Sequence, residues 1–359
     1  GENPYRFNWQ TPIHLSKHNQ DILYLGGNKL HRSLNKGDDW ATISEDLTTG
    51  GKKGNVAYGT ITTIAESPFQ FGLLYTGSDD GFVHVSKNSG GSWAKISESF
   101  PKDLWVSRVV ASSHKKERVY VSLNGYRFDD FTPYIFMSDD FGKTWTNIGS
   151  SIPISSVNVI KEDPVNENML YVGTDNGLYI SFNKGKSWQS FSKNLPNVAV
   201  HDLVIQPTAQ HLIVGTHGRS LYKADIAQLQ LLTNELLQKD FHLFEIKNIR
   251  KSKNWGRSWS QWRDANTPKI KIPFFTSSNR KVKINIYRGT IKVSSILFDA
   301  DRGFNEAMFD VSFSKKGKGA YEKLNKETAL EKAKNGVYYL PKGKYTVKSE
   351  NSQSEFEIK

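Results

Sequence analysis

The chain contains no cysteine. Disulfides, thiolate metal sites and a cysteine nucleophile are therefore excluded, although the compartment is left open. No apolar run approaches the ~18–20 residues that a bilayer-crossing helix needs, so a membrane-spanning helix is not expected. The sequence opens Gly1-Glu2-Asn3-Pro4. It lacks the basic and apolar stretches of a signal peptide, which is expected to be absent or already removed. Phosphate-binding loop, dinucleotide fingerprint, GxSxG elbow and HExxH pattern are all missing. The nine histidines, His201 and His217 among them, show no metal-ligand spacing. Neither a cofactor nor a metal is expected.

What is present is enough for a sizeable core. The 359 residues, 37% of them hydrophobic, exceed one ordinary domain and are not the composition of a disordered chain. The net charge of +12 is unevenly placed: residues 1–225 carry 22 basic and 22 acidic side chains, residues 226–359 carry 26 and 14. Such a step marks a domain boundary near Asp225. A basic domain can meet nucleic acid, an anionic polysaccharide or a membrane surface, but a solvated lysine-rich face is the more ordinary outcome. Nucleic acid is disfavoured, because the first part is neutral and the second carries no known motif.

A repeat organises the first part. Four segments share the form Ser-x-(Asn/Asp)-x-Gly-x-(Ser/Thr/Asp)-Trp, beginning at Ser33, Ser86, Ser138 and Ser181. Their key residues are Asn35, Gly37 and Trp40; Asn88, Gly90 and Trp93; Asp140, Gly142 and Trp145; and Asn183, Gly185 and Trp188. The Asn or Asp is expected to bond the backbone two residues on, and the Gly to take a positive φ. The Trp then begins a returning strand and can wedge between units. Three of the four Asx positions are Asn, which is no general acid, so the boxes read as structure. Each follows two strand-like runs, such as Leu73-Leu74-Tyr75-Thr76-Gly77 and Gly81-Phe82-Val83-His84-Val85. Another strand comes earlier in each unit. A fifth copy near 199–225 has about three strands and no box. Four strands per unit at this period predict β-propeller blades.

The boxes resemble the Asp-boxes, or bacterial neuraminidase repeats, of sialidases, sortilin-type receptors and two-propeller xyloglucan hydrolases. Trp9-Gln10-Thr11-Pro12-Ile13, Asn194-Leu195-Pro196 and Gly215-Thr216-His217-Gly218-Arg219 are similar to phrases of secreted, sortilin-like bacterial proteins often labelled glycosyl hydrolases. The resemblance, over roughly 8–248, implies more blades upstream. It implies that this chain is the C-terminal part of a larger ring, completed by an upstream propeller segment of the same parent protein or by another chain. It further implies a secreted, periplasmic or cell-surface bacterial protein that binds a polypeptide or polysaccharide, or part of a glycoside hydrolase.

The expected organisation is a propeller portion over 1–248, a Trp/basic linker over 249–265 and an immunoglobulin-like β-sandwich over 266–359. Within these, 226–239 is predicted to be one helix, 241–246 a strand returning to the propeller rim, and 321–334 a small charged helix. A glycosidase needs two carboxylates about 5–10 Å apart, one with a raised pKa. The loop acids Asp79-Asp80, Asp129-Asp130, Glu162-Asp163 and Asp202 are the available ones, Asp129 and Asp130 lying in the longest insertion. Pairing with nearby Arg/Lys or turn capping is the more common use of such acids. The candidate binding residues are Tyr126 and Arg127 in that insertion, His217 and Arg219 in the last unit, and Trp255, Trp259 and Trp262, whose rings alternate with basic residues. The arginines outside the basic tail form no sialidase motif, so independent hydrolysis is not expected.

Overall fold

The structure, a computed structural model, describes residues 5–50, 59–260, 262–325 and 329–359. It has two compact units, 1–231 and 232–359.

In the first unit each box closes a hairpin with the same bonds. The Ser hydroxyl accepts from the Gly amide at 2.8–2.9 Å, and the Asn/Asp Oδ1 accepts from the amide four residues on at 2.9 Å. The Asx bond thus reaches four residues ahead, because two consecutive residues, such as Lys184 (φ 57°) and Gly185 (φ 83°), turn left-handed. Asp140 also accepts from the Thr144 hydroxyl, which with the Thr144 amide lowers its pKa to about 2.

Four antiparallel sheets of four strands follow one another in chain order. They comprise β1 (Ile13–Leu15), β2 (Leu23–Gly26), β3 (Leu30–Ser33) and β4 (Ala41–Thr42), then β5 (Ile61–Glu66), β6 (Leu74–Ser78), β7 (Val83–Ser86) and β8 (Ala94–Lys95). The third sheet holds β9 (Trp105–Ala111), β10 (Val119–Gly125), β11 (Asp130–Ser138) and β12 (Thr146–Asn147). The fourth holds β13 (Val157–Glu162), β14 (Leu170–Thr174), β15 (Gly177–Ser181) and β16 (Gln189–Ser190). A fifth has only β17 (Val200–Gln206), β18 (His211–Thr216) and β19 (Leu221–Asp225). This is the expected propeller: four complete blades and a partial fifth.

Successive sheets pack face to face through aliphatic residues of their inner two strands. Tyr120 and Ile135 of the third sheet share a core with Val157, Ile160, Leu170 and Val172 of the fourth. A polar latch accompanies two of these junctions. Glu66 of the second sheet accepts from Ser16 (2.6 Å) and Tyr24 (2.9 Å) of the first, and Glu162 of the fourth accepts from Ser112 (2.8 Å) and Tyr120 (3.0 Å) of the third. Between the second and third sheets the acid position is Ala111, and the buried Tyr75 hydroxyl has no partner among the described residues. No comparably extensive packing joins the fifth sheet to the first.

The second unit is a sandwich of two sheets, β20 (Phe241–Leu243), β21 (Ile270–Thr276) and β24 (Gly303–Phe309) against β23 (Ile291–Ala300), β22 (Arg280–Arg288), β25 (Gly343–Ser349) and β26 (Ser352–Ile358). The orders β20-β21-β24 and β23-β22-β25-β26 give first-second-fifth and fourth-third-sixth-seventh strands, an immunoglobulin-like arrangement. Strict alternation builds the core: Val282, Ile284 and Ile286 are fully buried while Lys281 and Lys283 face water.

Four expectations are corrected. The strand at 241–243 pairs with β21 in the sandwich instead of returning to the propeller, which moves the boundary from 248 to 231/232. The stretch 249–265 is no free linker: Ile249 bridges Ile358 in β26, and Trp255 is buried against Tyr339 in the sandwich core. Residues 226–239 form a 3-10 turn at Leu229–Leu231 and a one-turn helix α1 (Asn234–Leu237), because the Thr233 hydroxyl accepts from the Leu236 amide and caps a fresh helix start. The charged helix α2 (Lys315–Leu324) begins earlier than the expected 321, capped by Ser314. Residues 326–328 of the expected helix lie outside the described residues.

Candidate functional site

The innermost strands of the five sheets wall a cavity of about 550 Å³. Its polar lining arises from a recurring irregularity. In the first-strand pairing of sheets two to five the register shifts by one residue, at Thr62, Ser107, Asn158 and His201. A β-bulge of this kind leaves a residue off the ladder and re-aims its side chain. All four side chains line the cavity.

These side chains are fixed by neighbours. Thr62 donates to the Val106 carbonyl at 2.7 Å, and Ser107 lies 2.8 Å from the Ser122 hydroxyl. Asn158 accepts from Asn124 and donates to Asp175, both at 2.8 Å. His201 lies against His217, ring centroids 5.1 Å apart.

Two arginines face the same space. Arg127 sits over the Trp105 ring at 4.1 Å, a cation–π contact worth roughly 0.5–1 kcal/mol at an accessible site. Arg108 reaches from the third sheet to Asp202 of the fifth at 2.8 Å. Trp9, 90% exposed, stands at the mouth. Burial lowers the pKa of His14, with Lys17 and Lys161 adding to the effect against Glu66. Burial, then the neighbouring His217, lowers that of His201. Both shifts favour the neutral imidazole.

The described lining contains no aspartate or glutamate. Asp129 is exposed in a left-handed turn, φ 54°. Asp130 is partly desolvated, but bonds from Thr132 and from the Tyr134 hydroxyl at 2.9 Å outweigh this and hold its pKa below the usual range. A carboxyl so held is a poor general acid. Asp79 has a pKa raised by burial, yet its oxygens accept from Gly59 and Thr60, and Asp80 accepts from Thr49; both tie loops together away from the cavity. Glu162 is the latch carboxylate, Asp163 accepts from Tyr171 and Gln230, and Asp202 holds Arg108.

Of the candidate binding residues, the cavity brings in Arg127 alone. Tyr126 is exposed beside Phe131, His217 is exposed beside His201, and Arg219 is exposed. Trp255 is a core residue, 8% exposed, which corrects its expected binding role; Trp259 and Trp262 are 89% and 86% exposed. Sequence reasoning missed Trp9, Trp105, Arg108 and the bulge row. The bulges leave no local signature, since only cross-strand register shows them.

The class defined by these observations is an all-β propeller with an appended immunoglobulin-like sandwich. Residues 133–281 match the family model "Sortilin, neurotensin receptor 3" (Sortilin-Vps10), and over that span the chain is sortilin-like. No curated protein sequence matches the chain. Among solved structures it is similar to the GH74 xyloglucanase of Xanthomonas campestris at 14% identity, covering 82% of this chain and 51% of that one with a TM-score of 0.48. The GH74 enzyme of Niastella koreensis gives 14%, 96%, 56% and 0.48. A YCF48 structure bound to a D1 peptide gives 13%, 55%, 59% and 0.40. The chain spans about half the length of the two GH74 structures.

Proposed function

We propose that the chain is a binding or scaffold propeller module of a secreted or cell-envelope bacterial protein, and that its cavity recognises an extended polypeptide or a glycan. The observation that carries this reading is the lining itself: hydrogen-bonding bulge residues, two arginines and two tryptophans, with no carboxylate among the described lining residues. Such a wall can stack, donate and accept, but it offers no acid/base pair for hydrolysis. An upstream propeller segment of the same parent protein, or another protein chain, would complete the arc.

A second reading is favoured by the openness of the arc: a glycoside hydrolase whose active site needs further propeller sequence. Polysaccharide and peptide arrays beside hydrolysis assays on the same glycans separate the two. Binding lost in Trp9→Ala and Arg127→Ala without turnover is expected. Turnover by this chain alone, abolished in Asp129→Asn or Asp130→Asn, would overturn the choice.

A further inference from the structure

We infer that the free face of the first sheet is a socket for one further complete four-stranded blade, supplied by polypeptide outside this chain. This gives atomic terms to the partner proposed above and does not depend on the cavity.

The three junctions where a box follows a complete sheet share one contact. Trp93 Nε1 donates to the Ile43 carbonyl at 3.0 Å, Trp145 Nε1 to Ile96 at 2.8 Å, and Trp188 Nε1 to Ile148 at 2.6 Å. Each isoleucine stands one residue past the fourth strand of its sheet. Its side chain fills the space over the box glycine. A Cβ at Gly90 would lie 2.8 Å from the Ile43 Cβ, and one at Gly142 or Gly185 would lie 2.4 or 2.7 Å from the Cδ1 of Ile96 or Ile148. Box and Trp together therefore receive an aliphatic knob and its carbonyl.

The first box has the same internal bonds but, among the described residues, holds no knob. Among the described residues, a Cβ at Gly37 would meet Leu23 and Trp40 of its own sheet, at 3.6 and 3.8 Å. Trp40 is exposed, and its indole has no acceptor among the described residues. On the same sheet Ile13 is 68% exposed, whereas its counterparts Ile64, Val109, Ile160 and Leu203 are 8%, 2%, 0% and 2% exposed. Among the described residues one corner is occupied, where Tyr5 and Phe7 lie against His31.

A second copy of this chain does not fit the socket. Its fifth sheet ends at the third strand, and Ile226, the residue after that strand, is itself fully buried. It has no fourth strand and so no knob. The occupant must be a blade with a fourth strand followed by a branched aliphatic residue.

The test appends a copy of residues 105–151, or of 60–99, ahead of Gly1 of the full chain, each copy carrying its own knob isoleucine. Hydrogen exchange of the Trp40 indole N–H is followed by NMR. At least tenfold slowing is expected with either appended sheet, reversed by Ile→Asp at the knob of the copy. The inference falls if Trp40 exchanges at the same rate with both appended sheets, folded or not, or if the slowing survives the knob change. It also falls if the unaltered chain dimerises with Trp40 protected. Loss of cavity binding in Arg127→Ala leaves it standing.

Discussion

The hydroxyl of Tyr120 donates a 3.0 Å hydrogen bond to Oε1 of Glu162, so a phenol of the third sheet is held by a carboxylate of the fourth. Burial, with Glu162 nearby, raises the Tyr120 pKa far above its ordinary value, so the phenol remains a donor. Hydrogen bonds to a charged acceptor contribute about 1.5–3 kcal/mol. Tyr120→Phe is expected to destabilise the propeller by that order in chemical denaturation. Tyr75→Phe, which removes a buried hydroxyl without a described partner, is expected to be neutral or stabilising.

The glycines under the knobs make a sharper prediction. At Gly142 the φ is 85°, and an added Cβ would come within 2.4 Å of Ile96. Gly142→Ala combines left-handed strain with overpacking and should cost about 2–4 kcal/mol. Gly37→Ala meets the strain alone, φ 100° with nothing closer than 3.6 Å. It should cost about 1–2 kcal/mol. Equal losses in thermal unfolding would contradict the knob contact.

Acid sensitivity should trace in part to His84. Burial, assisted by Lys95 and opposed by Asp80, lowers its pKa from 6.5 to about 4. Between those values the unfolded chain binds the proton and the folded one does not. Stability is therefore complete above pH 6.5 and declines as pH falls towards 4, by on the order of 3 kcal/mol. His84→Gln should flatten the unfolding free energy across that window; an unchanged slope would show that other groups set it.

The three tryptophans of the 255–262 stretch should part company. Trp255→Ala removes a core ring and is expected to cost about 3–5 kcal/mol in the sandwich. Trp259→Ala and Trp262→Ala, on exposed rings, should leave its unfolding within about 0.5 kcal/mol.

How far these features could be read beforehand depends on their range along the chain. The boxes carry their turn within eight residues, so the blade count and the missing fifth box were legible. The serine that opens each box is plain in the sequence, but its bond to the glycine amide is not, because the hydroxyl competes with the more familiar Asx turn. The latches escaped notice because Tyr120 and Glu162 are 42 residues apart and each is unremarkable in its own strand. The boundary at 231/232 was misplaced for a similar reason: Phe241–Leu243 reads as a strand, but its partner, β21, lies some thirty residues on. Trp255 differs from Trp259 and Trp262 only through Tyr339 and the sandwich core, which no local spacing reveals.

The bulge row has a consequence for variation among proteins built this way. Thr62, Ser107, Asn158 and His201 sit off the ladder, while the boxes, knobs and latches that hold the sheets together use other positions. Replacing Ser107 or His201 changes what the inner wall presents and leaves the bonds between neighbouring sheets in place, whereas Thr62 and Asn158 each also bond to the third sheet. Recognition and architecture are thereby separate at the first two positions and shared at the other two. The inner wall can drift towards a new ligand most freely at Ser107 and His201 while the scaffold stays folded.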